Sequence, residues 1–323
     1  MATDATFPVD PVLTGVAMAY RNRRLIADQV LPRVAPIGKA EFAWYEWATE
    51  EHFTIPDTKV GRRSAPNEIE FHGERHTGEC LDYGLDDVVP VSDQANAAGT
   101  GLNPERKAAE GLTDLIDLSR EKRVADLVFN PATYSQKTQL SGTDQWSDFA
   151  NSDPIEDIMA GLDSLLIRPN VAVIGRPAFS VLARHPKINK ALNVSGADAG
   201  IATRQAIADL FDLEEVLVGE AFLNTAKRGQ TPSYGRVWGK HMALIHRDPM
   251  ATNTNGRVTF GFTMQADYGG GMIGTDGDRA IVAGSMPEPK QGLRGSTRVR
   301  VGESVSEVIS GPLVGYFIQD AVG

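Results

Sequence analysis

Residues 103–129 read NPERKAAEGLTDLIDLSREKRVADLVF, and the fold of this 323-residue chain turns on them. Asn103 is a good helix cap, and Pro104 suits the first helical position because its missing N–H would have no partner there. No further proline occurs before Pro131. Ala108, Leu112, Leu115 and Ile116 recur at helical spacing, and Val124, Leu127 and Val128 resume the stripe after a charged middle, Ser119 to Arg123. At 1.5 Å per residue the helix would span about 40 Å, with apolar contacts at both ends. Such a helix is either an ordinary amphipathic core helix or a spine joining separate subdomains.

On the N-terminal side, Thr14 reads as the cap of a helix reaching Val30, with Val16, Tyr20, Ile26 and Val30 apolar and Arg21, Arg23 and Arg24 in its middle. A segment this short has no core of its own and must lie on something else. The arginines are a solvated face, or a contact to a polyanion or an acidic neighbour. The next stretch, AEFAWYEW, puts Phe42 and Trp44 on one face of a strand and Tyr45 and Trp47 on the other. A polar segment broken by Pro56, Gly61 and Pro66 follows, and alternation resumes with Ile69 and Phe71. The pattern predicts a long hairpin with an irregular tip. An isolated hairpin is marginal in water, so its aromatic faces need a partner, either the hairpin's own domain or a neighbouring copy. Residues 86–101 read as a turn-rich connection into the helix.

On the C-terminal side, QKTQLSGTDQWSDFA is polar, with Trp146 and Phe149 as anchors. Asp153, Pro154 and Glu156 then form a capping arrangement ahead of the stripe Ile155, Ile158, Met159, Leu162, Leu165 and Leu166. The strand VAVIG, a helix opened by Pro177 and closed by Pro186, a helix capped by Thr203, and the strands EEVLVG and HMALIH follow. Short apolar strands alternating with helices indicate a compact mixed layer. From Arg257 the chain is strand-rich. VTFGFTMQ has a candidate bulge at Gly261, STRVRVGESVSEVI places Arg298, Arg300, Glu303 and Glu307 between its valines, and a last apolar strand ends the chain.

Composition removes several function classes. No run approaches a membrane span, and MATDATFPVDP lacks the basic start and apolar core of a signal peptide. One cysteine, Cys80, excludes an internal disulfide. A net charge of −10 argues against a dedicated nucleic-acid binder. Gly269, Gly271 and Gly274 fit G-x-G-x-x-G without the strand and helix that dinucleotide binding needs, so they read as a flexible loop. Asp276 and Asp278 are a fragment of a calcium loop without its remaining ligands, and read as a turn. The histidines 52, 72, 76, 185, 241 and 246 make no zinc motif, and no serine-nucleophile elbow or P-loop is present. Asn193-Val194-Ser195 matches a glycosylation sequon with no secretion signal to make it relevant. An enzyme becomes the minority reading, and no catalytic residue, cofactor or metal is expected.

The order of parts resembles the major capsid proteins of tailed phages, with the Hong Kong-97-type coat fold. LIADQVLPRVAPIGKAEFAWYEW is similar to the family's N-terminal arm entering its extended loop, and residues 103–129 to its spine helix. DPIEDIMAGLDSL, PNVAVIGRPAFSVLARHPKI, IADLFDLEEVLVGEAFLNTA and VWGKHMALIH resemble its axial domain. RVRVGESVSEVISGPLVGYFIQDAV resembles its returning strand and last strand. The resemblance implies an α+β fold: an arm at 1–36, an extended β-hairpin loop at 37–90, a peripheral domain at 91–152 and 256–323 with spine helix 104–129, and an axial domain at 153–255. It implies a shell protein of the virion, assembled in a bacterial cytoplasm from pentamers and hexamers around packaged double-stranded DNA held without sequence specificity. Phe42, Trp44, Tyr45, Trp47, Ile69 and Phe71 are then expected at inter-subunit contacts of the loop, and Arg21, Arg23 and Arg24 at inter-subunit or interior contacts of the arm. The arm begins almost at Met1, so a separate scaffolding protein is expected, with a portal and a decoration protein as further partners. Lys39 and Lys59 lie in the loop region, but no cross-link is read from them. An encapsulin-type nanocompartment is the alternative on the same fold, and an α/β enzyme without a standard motif the alternative from another class.

Overall fold

The computed structural model describes residues 9–19, 24–47, 53–70, 72–99, 101–192, 200–227, 229–254, 257–268 and 279–323. The chain opens with helices α1 (Pro11–Ala19) and α2 (Ala27–Val30), strands β1 (Glu41–Trp47), β2 (Gly73–Glu79) and β3 (Leu81–Pro90), and helices α3 (Val91–Ala97) and α4 (Pro104–Val128). It continues through β4 (Gln136–Gln139), α5 (Pro154–Asp163), β5 (Val171–Gly175), α6 (Arg176–Leu182), α7 (Pro186–Leu192), α8 (Arg204–Phe211), β6 (Glu215–Gly219), β7 (Phe222–Asn224), β8 (Tyr234–Arg236) and β9 (Met242–Ile245). The last strands are β10 (Gly261–Gln265), β11 (Ile281–Glu288), β12 (Ser296–Ile309) and β13 (Gly315–Gln319).

One five-stranded sheet runs β4-β13-β9-β5-β6. Every residue of β5 and β9 is buried, as a strand covered on both faces requires. One face packs against α5–α8 through Ile158, Leu162, Phe179, Leu182, Ile207 and Phe211. The caps read from sequence are in place: the Asp153 carboxylate accepts from the N–H groups of Ile155 and Glu156, and the Thr203 hydroxyl from that of Ala206. The other face packs against Val124, Ala125 and Val128 of α4 and against Ile26, Val30 and Leu31. Trp238 is fully buried there and sits so close to β6 that a Cβ at Gly219 would lie 2.0 Å from its ring.

The second sheet is built on β12. β3 pairs along one side, and β10 and β11 follow one another along the other. Ala108, Ala109, Leu112 and Ile116 of α4, with Leu13 and Ala17 of α1, cover its valines Val299 and Val301. Helix α4, 25 residues and about 38 Å long, therefore has one half in each of two cores. The Asn103 side chain caps it, as its sequence predicts.

Two residues in the charged middle of α4 are buried. Arg120 is 2% exposed and Glu121 is 0% exposed. The Glu121 carboxylate accepts from the N–H groups of Ile26 and Ala27, which opens α2, and from the Trp238 indole N–H. Arg120 donates to Asp28, to the Leu31 carbonyl and to the Thr263 hydroxyl. Arg33 lies 2.7 Å from Asp28 and 2.8 Å from Glu303. Arg279 pairs with Asp117, and Arg123 with Glu307 at 2.9 Å. Burial works against charge on Glu303, but Arg33, Arg120 and Arg279 outweigh it and hold its carboxyl below the usual range. On Asp117 and Glu121 burial wins and raises the carboxyl.

Several expectations are corrected. Thr14 does not cap a helix to Val30: Asp10 accepts from the Val12 N–H at the start of α1, while the Thr14 hydroxyl donates to the Ala283 carbonyl inside the core. The stripe breaks between α1 and α2 because the Ile26 and Ala27 N–H groups go to Glu121 rather than to a preceding turn. Of the expected turn-rich connection 86–101, residues 86–97 form the end of β3 and α3 instead. Residues 81–90 lie in the β12 sheet rather than in a projecting loop. β4 and β13, read from sequence as outside the 153–255 unit, complete that unit's sheet. Gly261 is no bulge: it pairs in register with Ile309, and a Cβ there would meet the Val308 carbonyl at 2.5 Å. The glycine and aspartate motifs at 269–278 and the sequon at 193–195 lie outside the described residues.

Candidate assembly surfaces

Among the described residues the β1–β2 hairpin carries the longest exposed run, 53–70. Its register runs from Glu41↔Glu79 to Trp47↔Gly73, so the second strand starts later than the alternation at Ile69 and Phe71 suggests. Its base is fixed in the body. Phe42 is 5% exposed and packs with Val34, Cys80, Phe262, Met264 and Val308. Gly78 lies beneath the ring, and a Cβ there would come within 2.8 Å of Phe42 and 3.1 Å of Trp44. Trp44 stacks on His76 with centroids 5.5 Å apart, His76 reaches Glu46 at 3.2 Å, and Asn253 donates to the Ala43 carbonyl at 3.1 Å.

Beyond this base every residue from 53 to 70 is exposed. Local hydrogen bonds shape the segment: Ser64 N–H to the Gly61 carbonyl, Lys59 N–H to Asp57, and the Asn67 amide to the Asp57 carbonyl. Ile55 is 91% exposed, and Phe53, Val60 and Ile69 are exposed with it beside Lys59, Arg62 and Arg63. Clustered exposed apolar side chains of this kind mark interaction surfaces in proteins.

The residues expected at contacts thus fall into separate groups. Phe42 is corrected to a core residue: its ring already fills a slot in its own chain. Trp44 is half-buried against the same cluster. Tyr45 and Ile69 are exposed. Phe71 and the Trp47 side chain lie outside the described residues, as do Arg21 and Arg23. Arg24 is exposed and borders a cleft lined by Gln29, Arg204 and Glu220. The described part of the arm folds onto its own chain, with α1 on β11 and α4 and with residues 33 and 37 bridged to β10 and its extension at Ala266. Sequence reading missed the exposed aromatics Phe222 and Tyr234 on the short β7–β8 ribbon, whose strands are too brief to show a period.

Among the described residues no group of His, Cys, Asp and Glu is placed to hold a metal ion, and no helix is long and apolar enough to cross a membrane. The carboxylates and guanidiniums drawn together in the interior form the structural ion pairs described above, and the buried His185 is held by a local contact. His185 meets the Ser152 hydroxyl at 3.1 Å and is lowered by burial and by Lys187.

Comparisons with known proteins agree with this geometry. Residues 114–227 match the family model described as phage major capsid protein E. The major capsid protein of Pseudomonas phage JBD67 is 48% identical over 322 residues, 99% of both chains. Among solved structures, a phage-related protein from Bordetella bronchiseptica RB50 superposes with TM-score 0.73 at 24% identity, covering 98% of this chain and 99% of the other. The capsid structure of cyanophage P-SCSP1u superposes with TM-score 0.55 at 6% identity, covering 98% of this chain and 90% of the other, which is a likeness of fold. The mixed helix-and-sheet architecture is that of the Hong Kong-97-type capsid proteins. With near-half identity along its whole length to a named member, this chain belongs to the phage major capsid proteins, structural proteins of the virion and not enzymes.

Proposed function

We propose that copies of this chain form pentamers and hexamers that close into an icosahedral shell around double-stranded DNA, in the cytoplasm of a bacterial host. The observation that carries the reading is the segment 53–70, exposed at every position while bearing Phe53, Ile55, Val60 and Ile69. In this reading it lies on an adjacent copy, with Tyr45 at the edge of the same contact. The extended loop is then confined to residues 41–79, the axial unit is 153–255 joined by β4 and β13, and the peripheral unit is the β12 sheet with α1, α3 and the first half of α4. A net charge of −10 leaves little general attraction to DNA, so the shell contains the genome rather than gripping it. A scaffolding protein, a portal and a decoration protein complete the expected partners.

The test is negative-stain microscopy of the chain expressed alone and with its neighbouring genes. Uniform hollow particles or rings support the reading, and DNA rather than a protein cargo in the filled particles separates a phage shell from a nanocompartment. A monodisperse monomer or dimer in every condition overturns it.

A further inference from the structure

The unit built on the five-stranded sheet carries two unlike surfaces on opposite flanks. At one flank the chain leaves the edge strand β6 and forms the β7–β8 ribbon. Alternation puts Phe222, Asn224, Tyr234 and Arg236 on one face of the ribbon. Phe222 is 52% exposed and Tyr234 71%, and the Arg236 guanidinium sits 4.3 Å from the Phe222 ring centroid. Behind them Arg176 and Arg204 share a single carboxylate, Glu220, at 3.0 and 2.6 Å. The flank is aromatic and basic, a composition found where a few residues carry most of a binding energy.

At the other flank α5 lies over β13 and β9, where a Cβ at Gly161 would touch Tyr316 and Leu244. β13 stands three strand spacings, about 14 Å, from β6. Here α5 and α7 bound an open groove of about 450 Å³ with Ile155, Met159 and Ala191 in it and Asp153, Glu156, Lys187 and Lys190 on its rim. Lys187 is committed to Asp153 at 2.9 Å. The rim carries two acids and two lysines, and Glu156 stands exposed on it.

We propose that around each ring the β7–β8 ribbon of one copy seats Phe222 and Tyr234 in the α5–α7 groove of the next, with Arg236 against Glu156. A head-to-tail contact that closes into a ring needs two different, complementary surfaces on one subunit, and here one offers exposed rings with Arg236 and the other apolar side chains with Glu156. The inference rests on the shell reading and names the contact that would build its rings.

The full-length chain tests it by charge exchange. Arg236→Glu and Glu156→Arg, both at exposed positions, should each lower the yield of particles about tenfold or more, with the thermal unfolding of the unassembled subunit unchanged. The combined variant should restore particles. Tyr234→Ala, which alters no charge, should lower the yield as well. Single variants that assemble like the parent, or a combined variant as defective as either single one, overturn this contact while the parent's particles keep the shell reading. A parent chain that never assembles overturns both.

Discussion

Glu303 occupies a valine position. It shares a face of β12 with Val299, Val301 and Val305, is 3% exposed, and faces Arg33 at 2.8 Å. Arg120 occupies a similar place in α4, four residues from both Ile116 and Val124 on the apolar stripe. Both were legible in principle, because a charge in phase with a buried stripe is either a register error or half of a buried pair. The partner was not legible: Arg33 lies 270 positions from Glu303 in sequence, and only the fold brings them together. Removing Glu303 leaves the buried Arg33 with Asp28, which Arg120 also uses, so Glu303→Gln should destabilise the subunit by about 3–5 kcal/mol at neutral pH. The sign with pH follows from the lowered carboxyl. Its stabilisation is complete above the ordinary glutamate range, about pH 4.3, and is lost as pH falls through the folded-state value. The gap in melting temperature between parent and Glu303→Gln should therefore be widest near neutrality and shrink below about pH 4, as differential scanning calorimetry would record. A gap that widens in acid would contradict the assignment. Gly219 offers a test without charge. The Trp238 ring occupies the space of its missing Cβ, so Gly219→Ala should cost about 1–3 kcal/mol through overpacking, visible in urea unfolding.

Elements with strong local signals were read correctly, and those held by distant partners were not. The caps at Asn103, Asp153 and Thr203 and the apolar runs of β5, β6, β9 and β12 carry their structure in a few adjacent residues. β3 looks like a loop, with Asp82, Gly84, Asp86 and Asp87 in it, yet it is held for ten residues by β12, from Leu81↔Val305 to Pro90↔Ser296. Its aspartates find partners there: Asp86 accepts from Arg300 at 2.6 Å. Non-local pairing of this kind overrides strand propensity. The hairpin combines both cases. Its base is core, because Phe42 is buried, so deleting the whole of 40–75 would open the body itself. Replacing only 53–70 with a short Gly-Ser turn should leave the subunit's circular dichroism and melting temperature unchanged and abolish particles. Normal particles from that variant would remove the segment from assembly. At the base, Gly78→Val should displace Phe42 and Trp44 and lower the melting temperature, whereas Ile55→Ser at the exposed tip should leave it within about 0.5 kcal/mol of the parent.

The whole molecule has two cores strung on one helix, clamped between them by buried charge and carrying a hairpin whose base is packed in the body and whose residues 53–70 are all exposed. Such a subunit gains stability from neighbours, since anything that binds only the folded form shifts its unfolding by mass action. Assembled particles should unfold at a higher temperature than free subunits, and the free subunits should melt at a temperature that rises with concentration where rings form. Two whole-molecule properties were legible in the sequence: the absence of catalytic motifs and the order of arm, hairpin, helix and mixed layer. The division into units was less so, because β4 and β13 cross from one part of the chain into the sheet of another, and a linear reading cannot see a strand return. The decisive measurement is an electron cryomicroscopy reconstruction of particles formed by the full chain. A closed icosahedral shell with residues 53–70 covered by an adjacent copy is the predicted result. Particles in which that segment stands in solvent, or a preparation that yields only the 34.9 kDa subunit, would contradict it.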